Sequence, residues 1–301
     1  MSVPEQLIRR IPNLPVDKID DCLSPPEELR ESFQNAKETT RKHAKSFYFA
    51  SHFLTKAKRM EAYAAYGYCR YIDDLIDEAS PSDLLPSREK LLADNRTIIS
   101  GEHPAPFAAA FGWVCKHRRI PVELLDELVE GCYRDTATVR IKTEEELWEY
   151  CYLVASVVGL MMCRVFGVSS QEAYPRAVAM GLAMQLTNIL RDIKEDFENG
   201  RIYLPEESLH ARNLSVSSLI QNGPSSDWKD YIDGLIQKAR GWYKSAEEGL
   251  LFLLDKKSAK TAKTMGRVYA GILTEIEKND YDIRERRFVS LSRKIGLALK
   301  R

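Results

Sequence analysis

The spacing of apolar residues predicts an all-α fold in a single domain. Three observations carry that prediction. From Pro26 to the C-terminus, apolar residues recur at three- and four-residue intervals, the period of a helix with one buried face. No pair of alternating apolar and polar runs flanks an Asn-Gly turn, so no β-hairpin is signalled. No fixed-period repeat and no low-complexity linker divides the chain, and 301 residues give ample length for one core.

Taken in order, residues 1–26 are rich in Pro and Asp and read as an N-terminal arm. Residues 27–301 read as the helical domain. Within it, helices are expected near 27–43, 46–53, 56–79, 85–100, 104–117, 121–139, 143–167, 170–198, 205–210, 215–221, 226–255, 258–279 and 289–298. Pro81, Pro86, Gly101, Pro104, Pro121, Pro205 and Asn222-Gly223-Pro224 separate them. Proline removes a backbone donor, and glycine admits the left-handed turn that ends a helix.

The helix over 143–167 stands apart. Its stretch 147–166, Leu-Trp-Glu-Tyr-Cys-Tyr-Leu-Val-Ala-Ser-Val-Val-Gly-Leu-Met-Met-Cys-Arg-Val-Phe, is apolar nearly all round, so it is expected to be buried on every side. The small residues Ala155, Ser156 and Gly159 interrupt the bulk. Either another helix packs closely at Gly159, or the small residues leave room for a long apolar cavity. Tyr150, Val154, Val157 or Val158, and Met161 would then line it.

Composition narrows the class. Apolar residues make up 44% and charged residues 29%, as in ordinary globular proteins. Lys+Arg and Asp+Glu balance at 44 each, so there is no basic excess to attract nucleic acid. Six cysteines, at 22, 69, 115, 132, 151 and 163, form no Cys-x-x-Cys pair and read as reduced thiols of a cytoplasmic protein. The first residues lack the apolar core of a signal peptide. The longest apolar run, 153–163, is too short to cross a bilayer. Peripheral membrane contact stays open. The basic segments 256–267 and 284–294 are either solvated helix faces or a surface for anionic lipid.

The chemistry concentrates in 182–205. Gln185, Asn188, Asp192 and Asp196 fall at i, i+3, i+7 and i+11 of a helix that Asn199-Gly200 ends, so they form one stripe. Alone, that stripe could be a solvated charged face. A second one lies in 63–78: Tyr66, Arg70, Asp73 and Asp77 are again at i, i+4, i+7 and i+11, with Asp74 rotated off the stripe. Two such helices facing each other would gather at least four carboxylates, which cannot all stay ionised and buried without cations. Mg2+ bridging them to a substrate phosphate resolves that conflict. Arg70 and Arg191 beside them could bind diphosphate oxygens with their forked donors. An ionic mouth and a greasy interior together suit an amphiphilic substrate.

From about Lys42 onward the sequence resembles the squalene/phytoene synthase family of head-to-head (1'-1) prenyl synthases, with the bacterial-type phytoene synthases nearest in look. The first Asp-rich motif is Asp73-Asp74-Leu-Ile-Asp77. The second is Asn188-Ile-Leu-Arg191-Asp192-Ile-Lys-Glu-Asp196, followed by Gly200-Arg-Ile-Tyr-Leu-Pro205. Lys45-Ser46-Phe47, Tyr66-Gly-Tyr-Cys-Arg70, Tyr150-Cys-Tyr-Leu-Val154-Ala-Ser-Val-Val158-Gly159, Arg267-Val-Tyr269 and Arg284-Glu-Arg286 also match, in the family's order.

The resemblance implies a helical isoprenoid-synthase bundle around a central cavity. It implies that Asp73, Asp77, Asp192 and Asp196 hold Mg2+, or Mn2+ in its place, with Asp74 a further candidate. Arg70, Arg191 and Arg286 are then diphosphate binders, with Lys45, Ser46 and Tyr269 at the mouth and Tyr66 in the substrate-binding set. Gln185 and Asn188 become polar liners beside the reacting carbons. Tyr150 faces the carbocation, and Phe47, Val154 and Gly159 form tunnel wall. His43 precedes the Lys45 motif as in some members, or simply ends a surface helix. The implied reaction condenses two prenyl diphosphates through a cyclopropylcarbinyl diphosphate. Two C20 units give phytoene; two C15 units give dehydrosqualene, or squalene where NADPH supplies a hydride. No Gly-x-Gly-x-x-Gly motif is present. The Val-Ala-Ser-Val-Val-Gly-Leu-Met-Met-Cys stretch looks more like phytoene-type members. The rival readings are a chain elongase or cyclase, and a catalytically silent relative that binds or assembles.

Overall fold

A computed structural model describes residues 2–17, 24–77, 86–136 and 138–299 of the chain. Pro81, Cys22, the expected helix end at 78–79 and the Asp77 side chain lie outside the described residues. Helices run in the order α1 (Glu5–Ile8), α2 (Arg30–His43), α3 (Lys45–Ser51), α4 (Lys56–Asp77), α5 (Arg88–Ser100), α6 (Ala108–Arg118), α7 (Val122–Tyr133), α8 (Glu144–Cys151) and α9 (Val157–Phe166). They continue as α10 (Ala173–Glu198), α11 (Glu206–His210), α12 (Val216–Asn222), α13 (Ser226–Glu248), α14 (Lys256–Lys278) and α15 (Leu291–Leu299). Among the described residues no strand forms; two isolated bridges, Arg140 to Ile202 and Val168 to Leu253, tie loops together.

The helices begin where side chains can satisfy their first amides. Ser87, Thr143, Ser215, Ser225 and Asp255 each accept a hydrogen bond from a backbone N–H of the following turn. α10 is the axis of the bundle. It packs against α9, α13 and α14, and twelve of its residues, from Ala173 to Ile193, are buried. Its contact with the α8–α9 helix is close. A Cβ on Gly181 would stand 2.4 Å from the Ser156 Cα, so only glycine fits there. The Ser156 hydroxyl donates to the Val178 carbonyl at 3.0 Å across the same contact.

α8 and α9 are one continuous helix with a π-helical turn, Tyr152–Ser156, in its middle. The joined helix Glu144–Phe166 has the length and hydropathy to cross a membrane, which the run 153–163 alone did not suggest. However, 67% of its most apolar window is buried inside the bundle. Its apolar surface is thus consumed by packing, as expected of a core helix.

Three expected boundaries move. The helix expected over 104–117 begins only at Ala108, after the turn that Pro104 and Pro106 impose. The helix expected over 121–139 stops at Tyr133 and tightens into a 3-10 turn, Arg134–Thr136, whose Asp135 carboxylate is engaged by two tyrosines. The helix expected over 226–255 stops at Glu248 and is followed by a 3-10 turn, Gly249–Phe252.

The N-terminal residues pack back onto the bundle. Leu7 and Leu14 are buried. The buried Arg164 donates to the Pro15 carbonyl at 2.6 Å and pairs with Asp17. Deep between α4 and α6, Glu61 and Arg118 form a two-pronged ion pair at 2.7 and 3.1 Å, with Glu61 fully buried.

Candidate active site

A cavity of about 830 Å3 runs through the bundle. The residues expected at a site line it together: Lys45, Ser46, Phe47, Tyr66, Arg70, Asp73, Tyr150, Val154, Gly159, Gln185, Asn188, Arg191, Asp192, Asp196, Tyr269 and Arg286. The two stripes therefore face the same space from α4 and α10. His43, exposed at the end of α2, also lines the mouth. Both readings of Gly159 hold at once. It lines the cavity, and a Cβ there would press to 3.0 Å from the Ala177 carbonyl oxygen of α10.

One expectation fails by a single residue. Met161 is fully buried and off the cavity, whereas Val158 and Met162 line it. The π turn inserts extra chain between Tyr150 and Val158, so the lining positions fall at 150, 154, 158 and 162 instead of following the 3.6-residue period.

The ionic end is a web of arginine and carboxylate. Arg191 grips Asp192 with two bonds, 2.5 and 2.8 Å. Arg286, from the segment before α15, adds a 2.9 Å bond to Asp192 and a 2.8 Å bond to Glu195. Asp192 is thus bracketed by two cations. Across the cavity Arg70 pairs with Asp74, which is not one of the lining residues, while the Cys132 thiol donates to Asp73 at 3.4 Å. Burial, and then the nearby Asp192 charge, push the Asp196 carboxyl up to about 7, although Arg201 opposes them. Burial, with Lys45 close by, lowers Lys294 from the usual lysine range. Two cations crowded at a cavity mouth invite an anion.

Among the polar residues at the ionic end, Asp135, Arg201, Tyr203 and Lys294 escaped the sequence reading as site residues. Tyr150 donates to one oxygen of Asp135 and Tyr203 to the other, both at 2.8 Å, and the two rings stack at 4.8 Å. Burial and the adjacent Asp135 hold the Tyr150 hydroxyl well above the usual tyrosine range, so it stays protonated. Arg201 and Tyr203 were visible only as part of the Gly200–Pro205 motif. Asp135 and Lys294 had no local signal, because tertiary packing alone brings them to the cavity.

The donor set bears on a metal. Asp73, Asp192 and Asp196 offer hard oxygens only, and the Asn188 side-chain oxygen is buried without a hydrogen-bond partner. Hard divalent cations take such ligands. Among the described residues no three such groups stand close enough to hold an ion by themselves. The arginines occupy Asp192 instead. The residues therefore fit a divalent cation only together with an anion that takes over those guanidinium groups.

Known proteins resemble this chain in sequence and in fold. The chain is 35% identical to the chloroplastic phytoene synthase 3 of Zea mays over 84% of its own length, and spans 61% of that relative. It is 31% identical to the chloroplastic phytoene synthase of Daucus carota over 89% of its length, spanning 69% of that relative. A crystal structure of a dehydrosqualene synthase superposes with a TM-score of 0.82 at 27% identity, covering 90% of this chain and 95% of that one. A squalene synthase from Alicyclobacillus acidocaldarius superposes with a TM-score of 0.76 at 25% identity, covering 86% and 97%. The squalene/phytoene synthase profile matches residues 40–294. The chain belongs to the squalene/phytoene synthase family.

Proposed function

We propose that the chain joins two prenyl diphosphates head to head, and that with two geranylgeranyl diphosphates the product is phytoene. The observation that carries this reading is one cavity whose two Asp-bearing helices and three arginines meet at one end, above a chamber lined by Val154, Val158, Met162, Met180 and Met184. The phytoene synthases among its relatives favour the C20 substrate. Two farnesyl diphosphates, giving dehydrosqualene or squalene, form the second reading, favoured by the structural neighbours. NADPH is required only for squalene.

The residues act as follows. Arg70, Arg191 and Arg286, with Lys45 and Lys294, receive the diphosphates and offset their charge. Mg2+, held by Asp73, Asp192 and Asp196 with Asp77 as the fourth carboxylate, would further neutralise the leaving diphosphate and ease ionisation of the allylic C–O bond. The C2–C3 double bond of the second substrate attacks that cation, and loss of a proton closes a cyclopropylcarbinyl diphosphate. Loss of the second diphosphate and rearrangement give the 1'-1 linkage, and a further proton is lost to form phytoene. Released diphosphate can accept a proton. So can the Tyr150 hydroxyl if it passes its own proton to Asp135. The apolar lining excludes the water that would quench the cation. An aromatic face such as that of Tyr150 can stabilise the cation by about 1–2 kcal/mol.

Incubating the purified chain and Mg2+ with farnesyl or geranylgeranyl diphosphate, with and without NADPH, tests this. Mass spectrometry of the hydrocarbon identifies chain length and cofactor together. A longer single diphosphate or a cyclic terpene would refute head-to-head condensation.

We also infer peripheral contact with an anionic bilayer. Phe288, Leu291, Ile295 and Leu299 are 67%, 65%, 45% and 71% exposed, and the last three lie one turn apart on α15. Arg287, Arg293 and Lys294 flank them, and Phe288 and Lys294 belong to the cavity mouth. An apolar stripe with basic neighbours matches an interfacial helix. Pelleting with vesicles containing phosphatidylglycerol should be lost in Leu291→Glu, Ile295→Glu; binding unchanged by these substitutions would reject the surface.

A further inference from the structure

An arginine lines the apolar end of the cavity. Arg176 precedes Asp192 by 16 positions on α10, which places it about 24 Å along the helix axis from the ionic mouth. The lining also holds Ala173 and Ala177 beside it on α10 and Leu250 next to the Gly249 that it touches, none of which carries a charge. Arg176 stands far along α10 from the acidic and basic residues of the mouth, so what it offers the apolar lining is its aliphatic stem.

Its contacts show how it is held. The guanidinium is held against α13: Nη1 donates to the buried Ser245 hydroxyl at 2.6 Å and pairs with the exposed Glu248 at 3.0 Å. The stem stays inside. A Cβ built on Gly249 would stand 2.4 Å from the Arg176 Cβ and 2.8 Å from its Cγ, so the stem lies flat against the Gly249 backbone. The side chain is 36% exposed overall. Arg176 therefore separates the cavity from solvent, stem inward and charge outward, as long cationic side chains do at apolar boundaries.

We propose that Arg176 is the length gauge of the prenyl chamber. Its aliphatic stem, latched by Ser245 and Glu248 and pressed onto Gly249, forms the floor that limits the longest prenyl chain the site takes. This rests on the prenyl diphosphate reading above. The Arg176–Glu248 pair is exposed enough that its loss should change stability little. Truncation of the stem should instead open the end of the chamber.

The test compares wild type, Arg176→Ala and Arg176→Met on farnesyl, geranylgeranyl and geranylfarnesyl diphosphates with Mg2+. One further isoprene unit meeting the floor should cost wild type about tenfold or more in kcat/KM for the C25 substrate relative to C20. Arg176→Ala should remove most of that penalty, chiefly through KM. Arg176→Met keeps an unbranched stem of similar reach and should retain the limit. Affinities for the corresponding non-reactive thiodiphosphates read the same preference without turnover. Wild type that yields no head-to-head hydrocarbon from any chain length would count against the condensation reading alone. An unchanged C25-to-C20 affinity ratio in folded Arg176→Ala, or a shift as large in Arg176→Met, would overturn the length gauge.

Discussion

The Tyr150 hydroxyl donates to Asp135 at 2.8 Å at the edge of the cavity, and this bond fixes which way the tyrosine oxygen faces. Tyr203 occupies the other oxygen of the same carboxylate, so Asp135 orients two stacked rings at once. The arrangement puts two tyrosine hydroxyls and one carboxylate in a hydrogen-bonded group that lines the cavity.

Asp135→Asn tests that arrangement. The amide keeps the size of the side chain but offers only one accepting oxygen and cannot take a proton. Loss of orientation should lower kcat by about 100-fold, with KM little changed. Tyr203→Phe, which removes one hydroxyl but keeps the stacked ring, should cost much less. Equal losses in the two variants would show that Asp135 acts only through folding.

The Asp196 carboxyl sets a pH dependence. Its folded value, about 7, lies above the ordinary 3.8 because burial and then Asp192 disfavour the charged form. Without divalent metal, the folded chain thus holds a proton that the unfolded chain has already released. The resulting stabilisation is complete below about pH 4 and disappears as pH rises through about 7. Metal affinity should rise over the same interval, because the cation competes with that proton. Denaturant melts of wild type and Asp196→Asn between pH 4 and 8 check this. The variant should show a flatter profile, and equal slopes would contradict the assignment.

Glu61 and Arg118 provide a stability test remote from the chemistry. Glu61→Gln leaves the Arg118 charge buried without its counter-charge and should cost about 3–5 kcal/mol. Replacing both by Met should recover most of that loss, since the pair's net contribution is small once desolvation is counted. Urea melts give both numbers; a single variant within 1 kcal/mol of wild type, taken as about the error of a weak surface pair, would contradict the burial.

Much of the fold was legible because helical periodicity is a local property. The two stripes were legible for the same reason. Asp73, Asp192 and Asp196 each repeat at whole-turn spacing, and the structure brings them to one cavity. What was not legible depended on contacts distant in sequence. Asp135 is a lone acid at a helix end, and nothing near it in the chain shows that Tyr150 and Tyr203 will donate to it. Lys294 reaches the mouth only because the chain returns there at its C-terminus. Met161 and Met162 exchanged places because the π turn, formed where Ser156 meets Gly181, breaks the period on which the reading rested.

The central claim is that the chain bonds the C1 carbons of two prenyl diphosphates. Geranylgeranyl diphosphate doubly deuterated at C1, incubated with the purified chain and Mg2+, measures this directly. Phytoene formation removes one hydrogen isotope from each C1, so the hydrocarbon should retain half of the deuterium, located on the central double bond. Full retention of deuterium, or a product still bearing a diphosphate, would contradict the account.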